Sequence, residues 1–112
     1  MHELSVTESI LEIALRHAQE SNAKRITDLY LVIGQLSSIV DDSVQFYWDI
    51  ISKDTPAEGA QLHFQRIPAR LACLECGHEY SPEGDLSCPA CHSARVKVIA
   101  GKEFRLDAMD VE

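Results

Sequence analysis

No apolar run in this 112-residue chain is long enough to cross a bilayer, and its start has no secretory h-region. The expected compartment is the cytoplasm, with no membrane partner. Basic residues are scarce: ten Lys and Arg stand against eighteen Asp and Glu, a net charge of −8. A duplex-binding domain carries a basic face, so nucleic acid is not an expected partner. An acidic chain is better suited to metal cations or to a basic protein. Arg66, Arg70, Arg95, Lys97 and Lys102 do gather late in the chain, where they read as a solvated surface. There is no low-complexity segment, no nucleophile–base pair and no phosphate loop. The chain is therefore not read as an enzyme.

Cysteine is also scarce, and all four fall in two pairs. Cys73-Leu74-Glu75-Cys76 and Cys88-Pro89-Ala90-Cys91 stand eleven residues apart. Each Cys-x-x-Cys turn aims two sulfurs at one centre, and two turns supply the tetrahedron that zinc prefers. Four protein ligands leave no position for water or substrate, so the zinc is structural. The segment from Ala72 to Ala94 is too poor in apolar residues to fold alone, and metal binding supplies what it lacks.

Four cysteines have other uses. Disulfides suit secretion, which nothing indicates, and a redox dithiol would follow a strand in a parallel α/β pattern, which is not expected here. Iron is the stronger competitor. Cys76-Gly77-His78-Glu79-Tyr80 and Cys88-Pro89 resemble rubredoxin knuckles, and four thiolates hold iron as well as zinc. A ferric tetrathiolate is red and zinc is colourless. His78 and His92, beside the knuckles, read as exposed loop residues. A sharper alternative has either imidazole replacing a thiolate when nickel binds or pH changes.

Elsewhere the pattern predicts an α+β fold. Leu4 to Ser21 reads as a helix with Val6, Ile10, Ile13, Ala14 and His17 on one stripe, widened by Leu11, Leu15 and Ala18. Ser5 and Glu8 fit a capping box, His17 suits the negative helix end, and Asn22 suits the left-handed stop. Arg25 to Ile33 reads as a strand with Leu29, Leu31 and Ile33 on one face and Tyr30 and Val32 on the other. Residues 35–40 fit a short strand or a loop. A second helix follows, capped by Asp42 or Ser43, with Val44, Tyr47, Trp48 and Ile51 inward. Pro56 and Gly59 mark a loop. Further strands are expected at 61–67, broken by Pro68, at 96–99 and at 104–109. The last needs the core of the two helices, so the cysteine segment is an insertion between two strands of one sheet.

Met1-His2-Glu3-Leu4-Ser5, then Ile33-Gly34-Gln35-Leu36-Ser37, then the two cysteine pairs resemble the HypA/HybF nickel-incorporation proteins of hydrogenase maturation. The resemblance covers essentially the whole chain. It implies two helices packed on a small mixed sheet with an inserted rubredoxin-like zinc-ribbon module. It divides the chain into a nickel-binding domain, residues 1–69 plus 103–112, and a zinc-binding domain, residues 70–102. It implies a metallochaperone that delivers Ni(II) to the large subunit of [NiFe] hydrogenase. A GTPase of the same pathway is the implied partner, and urease maturation factors are served in some relatives. Monomer and homodimer are both open.

The resemblance carries a nickel role onto His2, with Glu3 beside it, and zinc is assigned to Cys73, Cys76, Cys88 and Cys91. A histidine at position 2 can offer its imidazole and backbone nitrogen, and the amine of Met1 completes a nitrogen-rich set. A carboxylate near the second helix is also implied. Asp41 and Asp42 are the candidates, and Val40 occupies the simplest aligned position. Two other functions compete: a zinc-ribbon module that binds protein or nucleic acid without a nickel role, and a rubredoxin-like electron carrier. Net acidity and a large portion outside the knuckles weigh against them.

Overall fold

The computed structural model describes residues 3–112. Two helices and six strands follow one another as α1 (Glu3–Glu20), β1 (Ile26–Gly34), α2 (Asp41–Ile51), β2 (Gln61–Ile67), β3 (Arg70–Cys73), β4 (Glu79–Tyr80), β5 (Val96–Ala100) and β6 (Phe104–Val111). The strands form two sheets, ordered β2-β1-β6 and β4-β3-β5. The molecule is long and thin, 55 × 24 × 17 Å. Residues 35–40 form a turn and loop rather than a strand.

In the first sheet β1 is central. It pairs parallel with β2, from Asp28 opposite Gln61 to Gly34 opposite Ile67, and antiparallel with β6. Parallel neighbours need a crossover, and α2 lies in it, so β1–α2–β2 is a βαβ unit. This corrects the expectation that no parallel α/β pattern is present. Alternation within a strand reports which face is buried, and does not report the direction of the neighbour. The cysteine pairs lie outside this unit, in the second sheet and its loops.

The strand faces follow the expected alternation. Leu29, Leu31 and Ile33 are buried with Val44 and Trp48 of α2 and Ile10, Ala14 and Ala18 of α1 in one core. Burying each large apolar side chain stabilises the fold by about 1.5–3 kcal/mol. Tyr47 and Ile51 of α2 are half-buried, and His17 of α1 is exposed. Thr7, absent from the expected stripe, is fully buried. Its hydroxyl donates to the Glu3 carbonyl at 2.5 Å, so the polar atom is satisfied within the helix.

Two cap assignments are corrected. α1 has already begun at Glu3, so Ser5 lies inside the helix and cannot open a Ser5–Glu8 capping box. At α2 the cap residue is Val40, in extended geometry and with no side-chain cap bond. Asp42 and Ser43 are already helical. Asp41 and Asp42 sit in the first turn, where their charge meets the positive helix end without serving as the cap. Asn22 does take the left-handed turn, at φ 58°.

The second sheet has its own small core of Leu71, Cys73, Tyr80 and Cys88, with Val96 and Val98 packed against it. In sequence it lies between β2 and β6, the two outer strands of the first sheet. Two connections therefore join the sheets, one between β2 and β3 and one between β5 and β6.

Candidate metal centre

Cys73 ends β3, and Cys76 follows in the turn that leads to β4. Cys88 and Cys91 occupy the turn before β5. The four sulfurs lie within 4.8 Å of one another, the one such group of metal-ligating atoms among the described residues. Cys73 Sγ is 3.5 Å from Cys91 Sγ, and Cys76 Sγ is 3.7 Å from Cys88 Sγ. A disulfide would need about 2.05 Å, so the thiols are free. Sulfurs at ~2.3 Å from a tetrahedral zinc stand ~3.8 Å apart, close to these separations. The cage therefore fits a structural zinc ion, with Cys73 and Cys88 buried and Cys76 and Cys91 exposed.

The two knuckles repeat one backbone design. The Gly77 N–H donates to the Cys73 carbonyl at 3.0 Å, and the His92 N–H donates to the Cys88 carbonyl at 2.8 Å. The residue after the second cysteine is left-handed in both, with φ 79° at Gly77 and 65° at His92. His92 thus stands where the first knuckle uses glycine. This role was missed from sequence, although aligning the two knuckles on their cysteines would have exposed it. Backbone N–H groups of Glu75 and Cys76 point at Cys73 Sγ at 3.3 and 3.4 Å, and that of Ala90 at Cys88 Sγ at 3.4 Å.

These donors set the electrostatics. The Cys76 backbone N–H, with that of Glu75 and the neighbouring thiols, outweighs burial and lowers Cys73 to about 7. The Ser93 backbone N–H favours a Cys91 thiolate. Cys73, burial, Cys76 and Cys88 together overcome it and push Cys91 up to about 12. Cys88 is lowered as well and Cys76 raised, so two thiols ionise more readily than the other two, and four thiolates would crowd like charges within 4.8 Å. A divalent cation removes that conflict and lets all four ionise.

His78 is exposed and stacks on Tyr80, with ring centroids 5.8 Å apart and planes at 11°. Neither His78 nor His92 belongs to the group of converging metal-ligating atoms. The basic residues around the module are largely paired. Arg95 meets Glu75 at 3.1 Å, Arg70 meets Glu79 at 3.8 Å, and Arg66 reaches back to Asp41.

His2 lies outside the described residues. Glu3, the first residue of α1, is half-buried. Asp41 is held by the Arg66 guanidinium, and Asp42 is exposed. The open face of the first sheet holds a further cluster that sequence reading did not find. His63 Nε2 is 2.8 Å from Asp28 Oδ1, the His63 ring stacks on Tyr30 at 4.7 Å, and the Tyr30 hydroxyl donates to Asp110 at 2.7 Å. Its only sequence signal is the outward register of Asp28 and Tyr30 on β1.

Residues 1–111 match the model of a family described as hydrogenase/urease nickel incorporation, metallochaperone, hypA. The chain is 45% identical, over its full length and 95% of the relative's, to a hydrogenase maturation factor HypA of Dehalococcoides mccartyi (strain ATCC BAA-2266 / KCTC 15142 / 195). It is 41% identical to a HypA of Nostoc sp. (strain PCC 7120 / SAG 25.82 / UTEX 2576), over its full length and 96% of the relative's. A solution structure of a HypA protein superposes with a TM-score of 0.77 at 25% identity, covering 100% of this chain and 97% of the other. The solution structure of the Ni metallochaperone HypA from Helicobacter pylori superposes with a TM-score of 0.69 at 25% identity, covering 99% and 97%. The match along the whole chain and the four-sulfur cage place this chain in the HypA family of nickel-incorporation metallochaperones, maturation factors rather than enzymes.

Proposed function

We propose that the chain carries Ni(II) to the large subunit of [NiFe] hydrogenase in the cytoplasm, using two metal sites of different chemistry. The observation that carries this reading is the closed four-sulfur cage. A metal there has its full coordination from thiolates, so a cargo ion needs a second donor set. His2, directly before α1, supplies an imidazole and a backbone nitrogen, with Glu3 beside it. Nitrogen-rich tetragonal sets suit Ni(II), whereas the thiolate tetrahedron suits zinc, so geometry and softness sort the two metals. A donor set that does not enclose its ion also releases it to a partner more readily than a closed cage. Residues 1–69 plus 103–112 form the nickel-binding domain, and residues 70–102, held by zinc on Cys73, Cys76, Cys88 and Cys91, form the second. A GTPase of the maturation pathway is the partner in loading, and urease maturation factors are a further recipient class.

His2→Ala tests the nickel site. The variant loses specific Ni(II) binding by calorimetric titration, yet keeps its zinc content and helical circular dichroism. One nickel bound at unchanged affinity would remove the role of His2 and leave a zinc-ribbon binding module as the reading.

A further inference from the structure

We propose that the turn Gly34-Gln35-Leu36 is a clasp that fixes the angle between the two sheets, with Gln35 as its positioning residue. Both connections between the sheets cross at this turn. At the end of β2 the Ile67 carbonyl accepts from the Gln35 N–H at 2.9 Å, and in the β2–β3 connection the Ala69 N–H donates to Gln35 Oε1 at 2.8 Å. From the β5–β6 connection, the Gly101 carbonyl accepts from the Leu36 N–H at 2.7 Å. One three-residue turn therefore holds both strands of chain that could act as a hinge.

The backbones approach so closely that side chains are excluded. A Cβ on Gly34 would lie 2.1 Å from the Gly101 carbonyl oxygen. A Cβ on Gly101, itself at φ 113°, would lie 2.8 Å from Ala69 Cα. Gly34, Gly101 and Ala69 thus stack in one layer across the junction. Ala69 and Gly101 are buried, yet neither belongs to either hydrophobic core. Opening the junction breaks hydrogen bonds and backbone contacts without exposing the interior of either sheet. Such a layer can be released while both sheets stay folded.

The turn also leads directly to α2. Ile39 is buried in the first core, and the Arg66 guanidinium donates to the Ile39 carbonyl and to Asp41. Arg66 is the residue before Ile67, whose carbonyl Gln35 holds. The start of α2 and the junction are therefore mechanically linked through residues 34–41 and 66–69.

The decisive group is the Gln35 acceptor oxygen. Gln35→Glu keeps a carboxylate oxygen for the Ala69 N–H, whereas Gln35→Leu has similar bulk and no acceptor. Rotational correlation times from backbone ¹⁵N relaxation of the zinc-loaded full chain read the coupling. Wild type and Gln35→Glu should show one shared value for amides of both sheets. Gln35→Leu should show two values, shorter for residues 70–100, with Ala69 amide exchange about fivefold faster, the ratio expected when one neutral hydrogen bond is lost. Zinc content and the chemical shifts of both cores should stay at wild-type values. Gly34→Ala should separate the sheets in the same way. Tumbling of Gln35→Leu indistinguishable from wild type would overturn the proposal. So would a wild type that already tumbles as two bodies, Gln35→Glu behaving like Gln35→Leu, or loss of either core in Gln35→Leu.

Discussion

Exchanging the residues at the two equivalent knuckle positions, Gly77→Ala and His92→Gly, separates a backbone role from a ligand role. Both positions are left-handed, at φ 79° and 65°. A side chain in that region costs about 1–2 kcal/mol, which glycine avoids. Glycine gives back about 0.4–1 kcal/mol through the freedom of the unfolded chain. Nothing lies within 4 Å of a Cβ built on Gly77, so alanine there meets no clash and only the backbone counts. The net is about 1 kcal/mol, unfavourable for Gly77→Ala and favourable for His92→Gly. Folding of this segment is coupled to metal binding, so the difference appears as zinc affinity. Competition against a chromophoric chelator should show Gly77→Ala about fivefold weaker and His92→Gly about fivefold tighter. The double variant should return close to wild type. A more than tenfold loss in His92→Gly would refute the argument, because His92 would then be contributing its imidazole rather than its backbone.

Removing zinc with a strong chelator should abolish amide protection across residues 72–94 while helical circular dichroism persists. The second core is small, and the first contains both helices; unchanged protection after metal removal would contradict this. The Asp28 carboxyl is held below its ordinary 3.8, first by its hydrogen bond with His63 and then by Thr27. A depressed folded-state value contributes stability that is present above pH 3.8 and lost as pH falls through that depressed value. Denaturant midpoints followed by Trp48 emission should therefore fall less between neutral and acid pH in Asp28→Asn than in wild type. Equal falls in the two proteins would count against it.

Legibility from sequence followed the distance between partners. Cys-x-x-Cys brings two sulfurs together through a local turn, so spacing alone pointed to a four-sulfur cage. Alternation at Leu29, Leu31 and Ile33, and the helical stripe of Val44 and Trp48, identified core faces because period and burial are properties of one element. The N-terminal motif pointed to nickel only through resemblance, since a lone histidine has no periodicity to read. The two helix-start caps failed because a short polar residue near a helix start is a common feature, and Val40 ends the loop without using one, whereas Asn22 does form the expected left-handed stop. Tertiary structure alone decided that β1 and β2 run parallel, because alternation carries no strand direction. It alone joined Arg66 of β2 to Asp41 of α2, and His63 to Asp28 through the β1–β2 register, pairs far apart in sequence. It also gave His92 its place as the glycine equivalent and Gln35 its two partners. A residue's type is set by sequence, but the backbone angle and the neighbouring chain that use it exist only in the fold.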